Sequence, residues 1–130
     1  SRSAAERRAK ITPYKDVAGM LRSFDYAAHA ATLAHGDTYP ESVDRVAPLV
    51  AGWRDLAQQA FLAGYTAEIG DAASVPEDDD ARHRLLKLFL LDKALYEVAY
   101  EAANRPAWIA IPARGLMALI EAADTDLHAQ

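Results

Sequence analysis

The chain contains no cysteine, which excludes disulfide bonds and thiolate metal sites and fits a cytoplasmic protein. Long hydrophobic runs are also missing. None approaches the roughly 20 residues that a bilayer-spanning helix needs, so a membrane protein is disfavoured. The charged, polar opening residues do not read as a secretory signal. Positive charge is not in excess: the net charge is −5, which argues against a general nucleic-acid binder. Runs of β-branched residues are few. With 52% hydrophobic residues, many of them Ala and Leu, the composition points to an all-α protein. The four histidines, His29, His35, His83 and His128, have no metal-ligand spacing. A Ser/His/Asp nucleophile pattern and a glycine-rich phosphate loop are absent as well. The 130 residues suffice for one domain with a hydrophobic core.

Residues 1–11 read as a basic tail or linker, with Arg2, Arg7, Arg8 and Lys10 against Glu6. The first helix is expected over Pro13–His35. Thr12 can cap it, Pro13 suits the first helical position and Gly36 is a stop signal. Its apolar residues Val17, Met20, Leu21, Phe24, Ala28 and Ala31 recur with a helical period. Asp16, Arg22 and Asp25 read as a solvated edge. Gly19 costs roughly 1 kcal/mol against Ala in mid-helix, which suggests a close-packed neighbour.

A short helical piece from Glu41 is expected to break at Pro48. A longer helix then runs from Pro48 to Gly70, with Leu49, Trp53, Leu56, Ala60, Ala63 and Ala67 as its apolar stripe and Phe61 and Tyr65 beside it. Residues 71–77 form a loop. The most hydrophobic helix spans Asp78–Asn104, and apolar residues such as Leu88, Phe89 and Leu95 suggest burial on more than one side. Trp108–Pro112 reads as an extended connector, Pro112–Ala123 as a last helix, and residues 124–130 as a frayed end. The result is one all-α domain over residues 12–123, with four main helices and short helical pieces.

Two polar clusters invite a chemical reading. Glu77, Asp78, Asp79 and Asp80 could hold a divalent cation, but the glycine and distal Glu of a calcium loop are missing. Complementing the dipole of the following helix is the better account. Lys93, Glu97, Tyr100, Glu101 and Asn104 share one side of an otherwise apolar helix through steps of three and four, and Arg105 ends it. They form either a solvated stripe of weak surface ion pairs or a sugar site. In the latter, carboxylates, amide and guanidinium hydrogen-bond hydroxyls and aromatic faces cover a pyranose. Tyr26 or Tyr39 could add an aromatic contact. Trp53 and Trp108 read as packing residues, Trp108 being the better placed to touch a ligand.

The stretch Asp16-Val-Ala-Gly-Met-Leu-Arg-Ser-Phe-Asp-Tyr-Ala-Ala28, with the blocks Lys93–Arg105 and Trp108–Leu116, resembles the C-terminal helical part of actinobacterial maltokinases, including those fused to trehalose synthase. Those enzymes have the aminoglycoside-phosphotransferase fold. The resemblance implies a parent activity that transfers phosphate from ATP, with magnesium, to maltose, giving maltose 1-phosphate in α-glucan metabolism. It implies that the catalytic and metal-binding motifs of the parent lie ahead of Ser1. This chain alone is then expected to have no turnover and no tight nucleotide or magnesium site. It further implies that Asp16 supports the catalytic loop, and that Glu97 and Arg105, with Tyr100 and Glu101, bind sugar. His35-Gly36-Asp37 matches the family's catalytic tripeptide, but Ser42 stands where a metal-binding Asn is required, and the tripeptide follows the Asp16 helix instead of preceding it. It reads as a helix stop and turn. The expected partners are maltose or a related sugar such as glucosamine, and the front part of the kinase. A different class, a helical interaction module or homo-oligomer joined through exposed apolar surface, stays open.

Overall fold

The computed structural model describes residues 12–69 and 76–128, with side chains to residue 125. The basic segment 1–11, the expected stop at Gly70, most of the 71–77 loop and residues 129–130 lie outside the described residues. The fold is all-α. Four helices, α1 (Tyr14–Thr38), α2 (Val43–Ile69), α3 (Asp79–Asn104) and α4 (Ala110–His128), are joined in part by 3₁₀ turns at Pro40–Ser42 and Pro106–Trp108.

Helix α1 is central. It packs against α2, α3 and α4, and α3 also packs against α4. Residue pairing gives the directions. Asp25 meets Arg54 and Leu21 meets Gln58, so α1 and α2 are antiparallel. Arg22 meets Glu97 and Tyr26 meets Glu101, so α1 and α3 run the same way. Tyr14, Val17 and Leu21 form the buried apolar centre. Phe61, Leu62 and Tyr65 of α2 and Leu85, Leu86, Phe89 and Leu90 of α3 close over it.

The helix ends differ from the sequence reading for local reasons. Gly36 and Asp37 lie inside the last turns of α1 instead of ending it. The stop comes at Tyr39 (φ −135°, ψ 66°), where the following Pro40 disfavours helical backbone. Gly36 serves packing: a Cβ there would stand 3.3 Å from Cγ2 of Val43. Helix α2 runs straight through Pro48. There the proline forfeits the bond an N–H would give to the Asp44 carbonyl and its ring crowds that carbonyl, yet the helix is not broken. Trp108–Pro112 is helical, not extended, because Pro112 falls in the first turn of α4, where amide hydrogens have no intrahelical partner anyway. Helix α4 also continues through Asp124–His128, where fraying was expected. Asp78 caps α3, its carboxylate accepting from Ala81 N at 2.8 Å, which gives the acidic run its capping role.

The largest corrections concern which faces are buried. Leu49, Trp53 and Leu56 are 72%, 51% and 69% exposed. The opposite, mixed face of α2 packs on α1, because α1 offers partners for its polar groups. Arg54 donates to Asp25 (3.1 Å) and Gln58 donates to the Leu21 carbonyl (2.9 Å). Helix α3 is covered by α1 on one side and α4 on another, but Leu88 and Leu95 lie on a side left exposed, and on α1 Met20 is exposed. Arg22 and Asp25 are buried, not a solvated edge. Nothing lies within 4 Å of a Cβ built on Gly19. The glycine that does permit a close approach is Gly115 of α4, where a Cβ would stand 2.8 Å from Cζ of Arg22.

This contrast is testable. Gly19→Ala should raise stability by about 0.5–1 kcal/mol, whereas Gly115→Ala should lower it by about 1–3 kcal/mol through overpacking. Phe89→Ala should cost about 3 kcal/mol, and Leu95→Ala about 0.5 kcal/mol. Urea unfolding midpoints for the four variants check the assignment of faces. Equal shifts for Phe89→Ala and Leu95→Ala would overturn it.

Candidate functional site

Two buried charge clusters line up along the α1–α3 seam, one helical turn apart. In the first, Arg22, 3% exposed, donates through Nε (3.1 Å) and Nη2 (2.6 Å) to one oxygen of Glu97, and through Nη1 to Asp25 (2.6 Å). The other oxygen of Asp25 accepts from Arg54 and lies 3.8 Å from Nε2 of His29. In the second, Glu101, 2% exposed, accepts from the Tyr26 hydroxyl (2.5 Å) and from Nε (2.9 Å) and Nη2 (2.6 Å) of Arg105. The Arg105 guanidinium lies over the Trp108 ring (4.8 Å to its centroid) and near that of Tyr100 (5.9 Å). Tyr26 and Trp108 stack at 6.1 Å.

Above these clusters runs an open groove of about 440 Å³, lined by Tyr26, Lys93, Tyr96, Glu97, Tyr100, Glu101 and Arg105 among others. The stripe read from the sequence is therefore one surface in three dimensions, with α1 as its second wall. Glu97 and Glu101 lie at its base, committed to Arg22 and to Tyr26 and Arg105. Tyr96 and Tyr100 are exposed, and the side chain of Arg105 remains 48% exposed, with Nη1 taking none of these bonds. Asn104 stays outside, donating to the Tyr100 carbonyl of its own helix. Asp16 is exposed and borders a second hollow of about 450 Å³, which meets the first at Ser23 and Lys93.

Of the two aromatic candidates, Tyr26 belongs to the groove, while Tyr39 stands elsewhere against His35. Trp53 is half exposed, edge-on to Phe24. Arg22 and Tyr26 are the partners that a pattern read on α3 alone could not supply. Their own four-residue step, matched to that of Glu97 and Glu101, is the signal that links them.

Burial, then the Glu101 hydrogen bond and charge, push the Tyr26 phenol up to about 12. The Arg105 hydrogen bonds hold Glu101 below the usual carboxylate range, and Glu101 in turn raises Arg105. Glu101 is covered by its immediate partners and lies close to the protein surface, so its tuning comes from contact more than from depth. Burial lowers His29, with Asp25 opposing and Arg54, Arg114 and Arg22 reinforcing. Among the described residues no group of three His, Cys, Asp or Glu side chains is arranged to hold a metal ion.

No protein-family model matches this chain, and no solved structure does. No helix among the described residues is long and apolar enough to cross a membrane.

The titrations set a stability window. Tyr26 keeps its proton when the unfolded chain loses it, so stability should fall as pH rises from about 10 to about 12. Glu101 has the opposite sign: its contribution is present above its ordinary value of 4.5 and is lost on further acidification. His29, lowered from 6.5, also makes stability fall on the acid side of that value, because the unfolded chain binds the proton more readily. An ultraviolet titration should show one tyrosine ionising near pH 12, absent in Tyr26→Phe and moved downward in Glu101→Gln. A wild-type titration in which every tyrosine ionises near 10 would contradict the buried Tyr26–Glu101 contact.

Proposed function

We propose that this helical domain is the sugar-binding C-terminal part of a maltokinase-like kinase, the α1–α3 groove holding part of the sugar. The observation that carries the reading is the grouping of aromatic and hydrogen-bonding side chains in one open groove. Tyr26, Tyr96 and Tyr100 offer ring faces to the apolar side of a pyranose. Lys93 and the exposed edge of Arg105 offer donors to hydroxyl oxygens. Glu97 and Glu101 fix the positions of Arg22, Arg105 and Tyr26, so the groove is ordered before sugar enters. In the parent reaction the sugar hydroxyl attacks the γ-phosphate of ATP, and positioning supplies much of the rate. The part assigned to these residues is positioning of the sugar. The exposed apolar side chains Leu49, Trp53 and Leu56 on α2, and Leu88 and Leu95 on α3, are surface on which the catalytic part of such a kinase can pack.

Nuclear magnetic resonance titration with maltose tests the sugar site. Saturable amide shifts are expected at residues 93–105 and at Ser23 and Tyr26. An isolated groove with one or two ordered hydrogen bonds supports a Kd of about 1 mM, or about −4 kcal/mol. Tyr100→Ala, a substitution at an exposed position, should abolish the shifts and leave the melting temperature nearly unchanged. Glu97→Gln should lower stability as well, because it weakens the pairing with buried Arg22. Shifts that never saturate, or that survive Tyr100→Ala, would sink the sugar reading. For catalysis, ATP- and maltose-dependent turnover is expected of a longer chain carrying the kinase motifs ahead of residue 1, and not of these 130 residues alone. The exposed α2 stripe favours an interaction module as the second reading. Self-association seen by light scattering, abolished by Leu56→Asp and accompanied by no maltose shifts, would select it.

A further inference from the structure

A second cavity, of about 280 Å³, lies away from the groove, where the end of α1 meets the start of α4. Its apolar part includes Leu33, Val43 and Ile111. Its charged groups are Asp37 of α1 and Arg114 of α4, with His29 also lining it. Asp37 and Arg114 are both exposed and share one cavity, yet no ion pair joins them, and neither has an ion-pair partner among the described residues. Two unpaired opposite charges lining one cavity beside apolar side chains are complementary to a small molecule that carries both charges and an apolar body. The backbone reinforces the polarity. The first turn of α4 favours an anion on the Arg114 side, and the last turn of α1 favours a cation on the Asp37 side. The volume is near the lower end of small-ligand pockets and suits a ligand of amino-acid size.

We infer that this cavity is a binding site for a small zwitterion with an apolar side chain, of the α-amino-acid class. Its carboxylate pairs with Arg114, its ammonium with Asp37, and its side chain enters among Leu33, Val43 and Ile111. His29 stands beside the cavity with Asp25 at its other side and reports on occupancy. The site shares no lining residue with the sugar groove, so the inference stands or falls independently of the sugar reading.

The test is a resonance titration of the 130-residue chain with L-leucine as probe. Saturable shifts are expected at Leu33, Asp37, Ile111 and Arg114 and in the His29 ring, with the α1–α3 groove unmoved. Leucinamide lacks the carboxylate and 4-methylpentanoate lacks the ammonium. Each should bind at least about tenfold more weakly, the loss expected for one charge-assisted contact. Arg114→Gln and Asp37→Asn, both at exposed positions, should each weaken leucine binding by a similar factor. After Arg114→Gln, leucine and leucinamide should bind alike. Absence of saturable shifts, equal binding of leucine and leucinamide by the unmodified chain, or leucine affinity unchanged in both variants would overturn the inference. Shifts induced by maltose alone, with none from leucine, would overturn it while leaving the sugar groove intact.

Discussion

A buried guanidinium governs how these helices can assemble. Arg22 sits in the middle of α1, 3% exposed, and a lone charge there would be very costly. It is tolerated because Asp25 of its own helix and Glu97 of α3 bind it at 2.6 Å each. Two carboxylates against one cation leave an excess of negative charge, and Arg54 of α2 joins Asp25 from the far side. Helix α4 must then pass over the guanidinium, which it can do only where Gly115 carries no side chain. One cation thus constrains elements contributed by all four helices. Such a network adds little net stability over an apolar core, but removing one partner leaves the others uncompensated, at about 3–5 kcal/mol. Its value lies in register: sliding α3 by one turn would bring Lys93 or Glu101 opposite Arg22 and break the neighbouring contacts.

The groove follows from that register. Because α1 and α3 run the same way, a four-residue step on each carries Arg22–Glu97 to Tyr26–Glu101. The second contact places Arg105 between Tyr100 and Trp108 and Tyr26 against Trp108. The acidic residues of the groove are therefore structural first. Both oxygens of Glu101 and one oxygen of Glu97 are taken by protein donors, so in the proposed sugar site the aromatic faces, Lys93 and the free edge of Arg105 would supply most of the ligand contact. A cationic group entering the groove would compete with Arg22 and Arg105 for these carboxylates, which is consistent with the neutral, hydroxylated ligand proposed above.

Apolar residues are distributed unevenly around this frame. The buried centre is small, built on Tyr14, Val17 and Leu21, and many of the positions packed against α1 are alanines or polar groups with partners. Helix α2 has no fully buried residue; Leu62 packs on α1, Trp53 touches Phe24 only edge-on, and Leu49 and Leu56 are left outside. The strongest hydrophobic stripe on an edge helix need not be the one that packs. What decides is whether the opposing helix can satisfy the polar groups on the competing face, and Asp25 and the Leu21 carbonyl do that for Arg54 and Gln58.

The helical character of the chain was legible from local chemistry alone. Alanine and leucine content, helical periodicity and the acidic cap at Asp78 act over a few residues, and they locate the four helices though not all of their ends. The polar stripe from Lys93 to Arg105 was legible too, because steps of three and four lie on one helix. Proline and glycine were read less well. Pro48, Pro112 and Gly36 each have a local preference weaker than the packing or the end position that overrides it. Pairing between helices was not legible in the local pattern. Nothing within α1 says that Arg22 is buried, and nothing within α3 says that Glu97 and Glu101 anchor partners on α1, since a charge on a helix is ordinarily solvated. Burial depends on which faces meet across 75 residues of chain, and that choice exists only when all the helices compete for the same core.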